Sequence, residues 1–190
     1  MNLVRTTTLT LALAGLLACG GGSSSSGGGG SKYRLAYTNP SRTGIQLVQV
    51  PSMSTPTHLV LSVVVADPSV SAAGISLDLR AEAGVTTWAK VGASDADYVR
   101  PGTAFNLGTG LHIVKGKVTG NRLEVIVSQK AYDVPANLSG VLAYVALDLD
   151  PTLQSTGLSN IITNGPGNKV LTSGGAIVSF EPVAGLVTVN

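Results

Sequence analysis

Few side chains in this sequence could do chemistry. It has two histidines, His58 and His112, and its only cysteine is Cys19. A transition-metal site built on the histidines would lack cysteine partners, so we expect both rings to be hydrogen-bonded or solvent-facing and predict no metal centre and no cofactor. Serines are numerous, but no Gly-x-Ser-x-Gly turn singles one out as a nucleophile. We therefore predict no catalytic residue and no enzymatic activity.

Two pairs of carboxylates are the next candidates, Asp95 with Asp97 and Asp148 with Asp150. In an extended segment this spacing puts both members of a pair on one face. Such a pair could bind calcium, or could act as a glycosidase acid and base with a partner across a cleft. Two carboxylates are far from the six to eight oxygens that calcium takes. We favour a polar loop for the first pair and a solvated strand end for the second.

The segment 93–107 has no clear strand pattern and carries side chains suited to contact. Trp88 lies just before it, where strict alternation leaves two interpretations open: core packing, or an exposed platform of the kind on which sugar rings stack. Phe105 lies within the segment. The predicted ligand-binding residues are Asp95, Asp97, Tyr98, Arg100 and Trp88.

Composition narrows the classes of protein. The chain has 190 residues, of which 44% are hydrophobic, 12% charged and 4% aromatic. The charged fraction is about half the usual value, and the basic residues are scattered, which disfavours a nucleic-acid partner. One cysteine excludes an internal disulfide framework. The length indicates one domain, or two at most.

The amino terminus reads as a targeting segment. Arg5 precedes an apolar stretch, Leu9–Leu17, that is too short to cross a bilayer and runs into Ala18 and Cys19. Residues 1–18 are therefore predicted to be a cleaved signal peptide, although an ordinary signal peptide with a coincidental cysteine is the alternative. Residues 20–31 contain only glycine and serine, which predicts a flexible linker over 19–31.

Leu16-Leu17-Ala18-Cys19 resembles the lipobox of bacterial lipoproteins. That resemblance implies cleavage before Cys19, acylation of the cysteine and membrane lipid as a partner. The glycine after Cys19 resembles the outer-membrane sorting pattern. We therefore expect a lipid-anchored protein at the outer membrane of the bacterial cell envelope.

Beyond the linker, residues 32–190 alternate with a period of two. Leu59, Leu61, Val63 and Val65 share one face of a run that begins at His58. The run 139–149 is apolar on both sides for part of its length, which predicts a central strand. Gly120-Asn121 predicts a hairpin. Many short strands separated by turns indicate an all-β antiparallel sandwich or jelly roll.

The order of these strands is similar to that of cohesin-like domains in the carbohydrate-binding-domain superfamily. The residues that carry the resemblance are the runs 59–65, 74–79 and 139–149, the hairpin at Gly120-Asn121, and the closing run 185–189. The resemblance covers about residues 55–190 and implies a cohesin-like β-sandwich that binds dockerin modules. We thus predict a membrane-anchored, non-catalytic module that binds a protein (dockerin-like or an envelope subunit) or a polysaccharide. The alternative is a structural or assembly subunit of an envelope complex.

Overall fold

The computed structural model describes residues 31–41, 43–66, 71–103, 112–129, 136–172 and 174–190. Within these ranges the chain is built of β-strands and one 3-10 turn, Pro51–Met53. The strands are β1 (Leu35–Thr38), β2 (Ile45–Gln49), β3 (His58–Val65), β4 (Ser71–Arg80), β5 (Thr86–Ala89), β6 (Arg100–Pro101), β7 (His112–Thr119), β8 (Arg122–Gln129), β9 (Ala136–Asn137), β10 (Gly140–Leu149), β11 (Gly157–Asn160), β12 (Lys169–Thr172), β13 (Ile177–Ser179) and β14 (Leu186–Val189).

Two antiparallel sheets form a sandwich. The first, called sheet B, has the order β2-β3-β10-β5, with β6 also paired to β10. The second, called sheet C, has the order β13-β12-β4-β8-β7, with β9 also paired to β4. Alternate residues of both sheets meet in one core; β3 contributes Leu61, β4 Leu77 and β8 Val125, all almost completely buried. The prediction of an all-β antiparallel sandwich is confirmed.

Strand β10 lies in the centre of sheet B, between β3 and the short strands β5 and β6. Val145 and Leu147 face the main core, whereas Ala146 belongs to a second buried cluster on the other side of the sheet. A bulge between Val141 and Ala143 shifts the pairing, and Leu142 joins the main core next to Ala143. The predicted strand with two covered faces is therefore confirmed.

The hairpin predicted at Gly120-Asn121 joins β7 to β8. Gly120 has a positive φ of 60°, a conformation that glycine adopts without steric cost. Thr119 and Arg122 are opposite each other at the end of the ladder. The hairpin fixes the register of all outward-facing residues on β7 and β8.

A third sheet has the order β1-β14-β11, and its Leu35, Val187 and Val189 belong to the main core. Tyr37 on β1 ties it to sheet B, because its hydroxyl donates to the Leu47 carbonyl at 2.8 Å and accepts from the Gly185 amide at 2.6 Å. Burial raises the pKa of Tyr37 to about 12. Gly185 cannot be replaced easily, since a Cβ there would lie 1.9 Å from the Thr38 carbonyl oxygen.

Candidate functional site

The outer face of sheet C is arranged in rows that run across the strands. Ile75, Leu77 and Leu79 of β4 point into the core, so Gly74, Ser76 and Asp78 point outward. The first row contains Ile113, Ser128, Gly74, Leu171 and Ile177, and the second contains Lys115, Ile126, Ser76, Lys169 and Ser179. The third row begins with Lys117, Glu124 and Asp78.

The first two rows form an apolar groove. Its floor is made of small residues, Gly74, Ser76 and Ser128, and a Cβ on Gly74 would lie only 2.9 Å from the Cβ of Ser128. One wall is Ile126, which is 48% exposed, and the other includes Ile177, which is 71% exposed. The depression has a volume of about 310 Å³. Isoleucines at outward positions beside a glycine-serine floor leave apolar surface open to solvent.

Two lysines flank this groove. Lys115 on β7 is largely exposed and lies 3.9 Å from the Asp97 carboxylate. Lys169 on β12 donates to the Ser179 hydroxyl at 2.6 Å. The apolar floor is therefore bordered by positive charge on both sides, which favours a partner that places acidic groups around an apolar centre.

The third row, unlike the first two, is shielded from solvent at Asp78. Asp78 is completely buried, and Arg122 donates to both of its carboxylate oxygens, at 2.7 and 2.9 Å. These hydrogen bonds, more than any other contact, hold the pKa of Asp78 below its usual value. Arg122 also contacts Glu124 at 2.8 Å. The buried carboxylate is fully engaged in this ion pair.

A loop over residues 163–168 covers Asp78. The Asn168 side chain accepts a hydrogen bond from the Asp78 amide at 2.7 Å, and the Ser76 hydroxyl donates to the Gly167 carbonyl. A Cβ on Gly165 would come within 2.3 Å of the Asp78 carboxyl carbon. Glycine at position 165 therefore lets the loop backbone approach the carboxylate.

The predicted ligand residues Asp95, Asp97 and Arg100 are used within their own loop. Arg100 donates to both oxygens of Asp95, which also accepts from the Gly92 amide at 2.8 Å. The Arg100 hydrogen bonds, together with the Gly92 amide, lower the pKa of Asp95. Asp97 accepts from the Gly116 amide of β7 at 3.0 Å. The polar-loop interpretation fits these contacts, and ligand binding by the loop stays a prediction.

Trp88 is the residue for which the sequence left two interpretations open, and the exposed platform is wrong. The side chain is only 6% exposed and belongs to the main core. Its indole N–H donates to the Asn121 carbonyl at 2.9 Å. Tyr98 packs against the same core with part of its surface exposed, and Phe105 lies outside the described residues. Trp88 therefore does not join Asp95 and Arg100 in a common binding surface.

The other predicted polar residues form local contacts. His58 lies 2.6 Å from Asp148 through its Nδ1 and 3.2 Å from the Val91 carbonyl through its Nε2, as expected for a hydrogen-bonded histidine. The Thr152 hydroxyl hydrogen-bonds to Asp150 and lowers the pKa of that carboxyl. Across the described ranges, no three side chains of His, Cys, Asp or Glu come close enough to hold a metal. None of the helical segments described there could span a bilayer.

Sequence reasoning did not identify the groove, although a signal was present. On β8, Leu123, Val125 and Val127 are the buried set, so Ile126 is an apolar residue in the polar phase of the alternation. Ile113 on β7 and Ile177 on β13 are likewise apolar residues at outward-facing positions. Asp78 carried no such signal, because its burial depends on a loop about 90 positions away.

Comparison with known proteins establishes the fold. The sequence matches no protein-family model and no curated protein. The structure is similar to the type II cohesin dyad from the ScaA scaffoldin of Acetivibrio cellulolyticus, with a TM-score of 0.54 and 14% identity over 78% of this chain and 48% of that one. The chain thus spans about half the length of this two-module protein.

Two further structures agree. CaCohA2 from Clostridium acetobutylicum has a TM-score of 0.53 and 16% identity, over 75% of this chain and 88% of that one. The sixth cohesin of scaffoldin B from Acetivibrio cellulolyticus, solved in complex with a Cel5 dockerin mutant, has a TM-score of 0.52 and 12% identity, over 75% and 98%. The chain has a cohesin-like fold, as the order of its strands predicted.

Proposed function

We propose that the protein is a non-catalytic module that binds a protein partner through the apolar groove of sheet C. The observation that carries the proposal is the groove itself: exposed isoleucine walls around a floor of glycine and serine. Solvent-exposed apolar surface lowers the free energy of a complex when a partner removes it from water. The flanking Lys115 and Lys169 supply a charged rim of the kind that surrounds protein interfaces.

The groove dimensions favour a helical partner. Its walls, Ile126 on β8 and Ile177 on β13, are three strand spacings apart in the order β8-β4-β12-β13. Strands in a sheet are about 4.8 Å apart, so the walls are roughly 14 Å apart, which leaves room for an α-helix about 10 to 12 Å in diameter. An amphipathic helix can place its apolar side chains on the glycine-serine floor. The dockerin complex of a cohesin with the same fold supports a dockerin-like module as the partner.

A polysaccharide partner is the second candidate of the sequence analysis. Sugar rings stack on exposed aromatic faces, and the walls and floor of the groove are built from isoleucine, leucine, glycine and serine. Trp88, the residue best suited to stacking, is buried. The groove therefore favours protein over glycan.

A matched pair of variants tests the proposed surface. The full-length chain is used as bait for secreted and envelope proteins of the producing cell, with Ile126→Lys in the groove and Leu158→Lys as the control. Leu158 is 64% exposed on β11, in the third sheet. We expect I126K to weaken capture of the partner about tenfold or more, and L158K to leave capture unchanged. Equal capture by wild type and I126K would contradict the proposal.

We further propose that Cys19 is acylated and anchors the module to the outer membrane of the bacterial cell envelope. The lipobox-like Leu16–Cys19 and the glycine-serine segment that follows support this proposal. Two or more acyl chains hold a protein on a membrane stably, whereas one gives only marginal binding. A linker of twelve residues has a mean span of roughly 19 Å, so the sandwich would move freely above the lipid surface.

The test of anchoring is Cys19→Ser, with fractionation of cells and metabolic labelling by a fatty-acid analogue. We expect the wild-type chain in the membrane fraction and labelled, and C19S unlabelled and absent from that fraction. Membrane residence of unlabelled C19S would overturn the lipid anchor. Separation of inner from outer membranes then tests the predicted location.

A further inference from the structure

Strand β13 is an exposed sheet edge made of three uncharged residues. Ile177 is 71% and Val178 50% exposed, and Ser179 is exposed as well. On the β12 side, the Thr172 amide donates to the Ala176 carbonyl and the Phe180 amide to the Asn168 carbonyl. Because the hydrogen-bonding direction alternates along a strand, Val178 also faces β12, and the backbone groups of Ile177 and Ser179 point away from the sheet.

Three other edge strands have a partner on at least one outward backbone group. On β7, the Gly116 amide donates to the Asp97 carboxylate, and on β11 the Asn160 amide donates to the Glu82 carboxylate at 3.2 Å. Strand β2 pairs with the segment at Val183, which lies parallel to it. Carboxylate caps and paired segments of this kind keep edges from pairing with other chains.

Strand β13 has no such cap from any residue that the structure describes. Within the described ranges, no side chain or backbone group hydrogen-bonds to the outward amides of Ile177 and Ser179. The strand contains neither proline nor a charged residue. An unprotected edge of this composition is a template for another strand.

The edge is complementary to itself. In an antiparallel pair centred on Val178, Ile177 of one copy is opposite Ser179 of the other, and each pair exchanges both backbone hydrogen bonds. The two Ile177 side chains then lie diagonally next to each other on the outer face, where Leu171 already neighbours each of them. The Lys169 ammonium lies 2.6 Å from the Ser179 hydroxyl, and Ser179 of one copy is opposite the uncharged Ile177 of the other.

An apolar groove on the inner side of β13 supports the same arrangement. It lies between the two sheets where the sandwich is open, has a volume of about 300 Å³ and is lined by Ile45, Val65, Val170, Val178 and Phe180. Val178 of a second copy would lie directly beside Val178 at the mouth of this groove. Pairing thus satisfies the backbone and covers apolar surface in one step.

We propose that two copies of this chain associate through antiparallel pairing of β13, with the two-fold axis at Val178, and so join their C sheets into one continuous sheet. The partner-binding grooves of both copies then lie on the same face. Two sites side by side raise the effective concentration for a partner with repeated modules. This assembly is independent of what the groove binds.

Disulfide trapping tests the pairing. The experiment uses the full-length chain with Cys19→Ser, purified in a mild detergent, so that the only thiol is the one introduced. Two residues directly opposite each other at a non-hydrogen-bonded position are about 4.5 Å apart at Cα, a distance that a disulfide can bridge. We expect V178C to form a disulfide-linked dimer under mild oxidation about tenfold more readily than the control L158C.

A second substitution separates strand pairing from random collision. Ser179→Pro removes an outward amide and leaves the backbone hydrogen bonds between β12 and β13 in place. The only contact between these strands that it removes is the exposed one from Lys169 to the Ser179 hydroxyl, so the melting temperature should change little. We expect V178C/S179P to cross-link no faster than L158C. Equal cross-linking of V178C and L158C, or cross-linking of V178C that S179P does not reduce, would overturn the proposal.

Discussion

The two outer faces of the sandwich carry apolar residues at comparable positions, but only on sheet B does the chain itself cover these apolar residues. On sheet B, Val60 and Ala146 are fully buried beneath Val91, with Met53 and Tyr144 packed around them. On sheet C, Ile126 stands at an equivalent outward position and is half exposed. The difference shows that outward-facing apolar residues have two uses, as attachment points for the protein's own loops and as a surface left for a partner.

The two faces also differ in the interactions that stabilise their covered parts. Sheet B is closed by an apolar cluster, beside which His58 and Asp148 link β3 to β10. Sheet C is closed only at one end, by the ion pair of Asp78 and Arg122 under the loop 163–168. We therefore expect the two closures to respond differently to substitution and to pH.

The largest loss of stability should come from breaking the ion pair of Asp78 and Arg122. Arg122→Met removes the two hydrogen bonds from Arg122 to the buried Asp78 carboxylate and leaves Arg80, at 3.9 Å, as its remaining cation. Loss of the main partner of a buried charge costs about 3 kcal/mol of unfolding free energy. Urea denaturation measures this loss. Glu124→Gln removes only the exposed contact of Arg122 and should cost no more than about 1 kcal/mol. If R122M were as stable as E124Q, the ion pair would not be what closes this end of the sheet.

The second largest loss of stability should come from substitutions in the apolar cluster on the outer face of sheet B. Val60→Ala removes two buried methyl groups and should lower the free energy of unfolding by about 2 kcal/mol. Ile126→Ala, at an outward position that is half exposed, should change it by less than about 1 kcal/mol. Urea denaturation of both variants in parallel gives the comparison directly. Equal losses would mean that Ile126 is as well covered in solution as Val60, and the distinction between the two faces would fail.

The smallest expected effect is the loss of stability at acid pH when Asp78, the partner of Arg122, is protonated. The hydrogen bonds from Arg122 lower the pKa of folded Asp78, so the unfolded chain binds a proton first as pH falls. The stabilisation is present above the unfolded pKa, about 3.9, and is lost as pH drops from there towards the lower folded pKa. Asp78→Asn should lack this part of the acid destabilisation in thermal melts between about pH 5 and 2. Parallel profiles for wild type and D78N would contradict the assignment.

Much of the framework could be predicted from the sequence because it depends on near neighbours. The buried set Leu59, Leu61, Val63 and Val65 follows from alternation alone, and the hairpin from Gly120. The two covered faces of β10 were visible as an apolar run on both sides. These features depend on backbone periodicity and turn chemistry, which short stretches of sequence specify.

The candidate site was harder to predict because burial is decided by distant residues. Trp88 alternates correctly for either side of β5, and only the β7–β8 hairpin, whose Asn121 carbonyl accepts its indole proton, places it inside. Asp95 and Arg100 looked like contact residues because both are charged and lie in a segment without a clear strand pattern. In the folded chain they bind each other.

The sequence by itself determined that this protein has short strands with two distinct faces, and it predicted the lipid attachment site at Cys19. Only the tertiary structure decided which of the outward faces are covered. The physical reason is that a period of two separates the sides of a strand but does not say what packs on either of them. Val91 over Val60, and residues 163–168 over Asp78, are contacts between segments far apart in the chain. At Ile126 and Ile177, where no segment of the described ranges packs on the sheet, the apolar surface stays open.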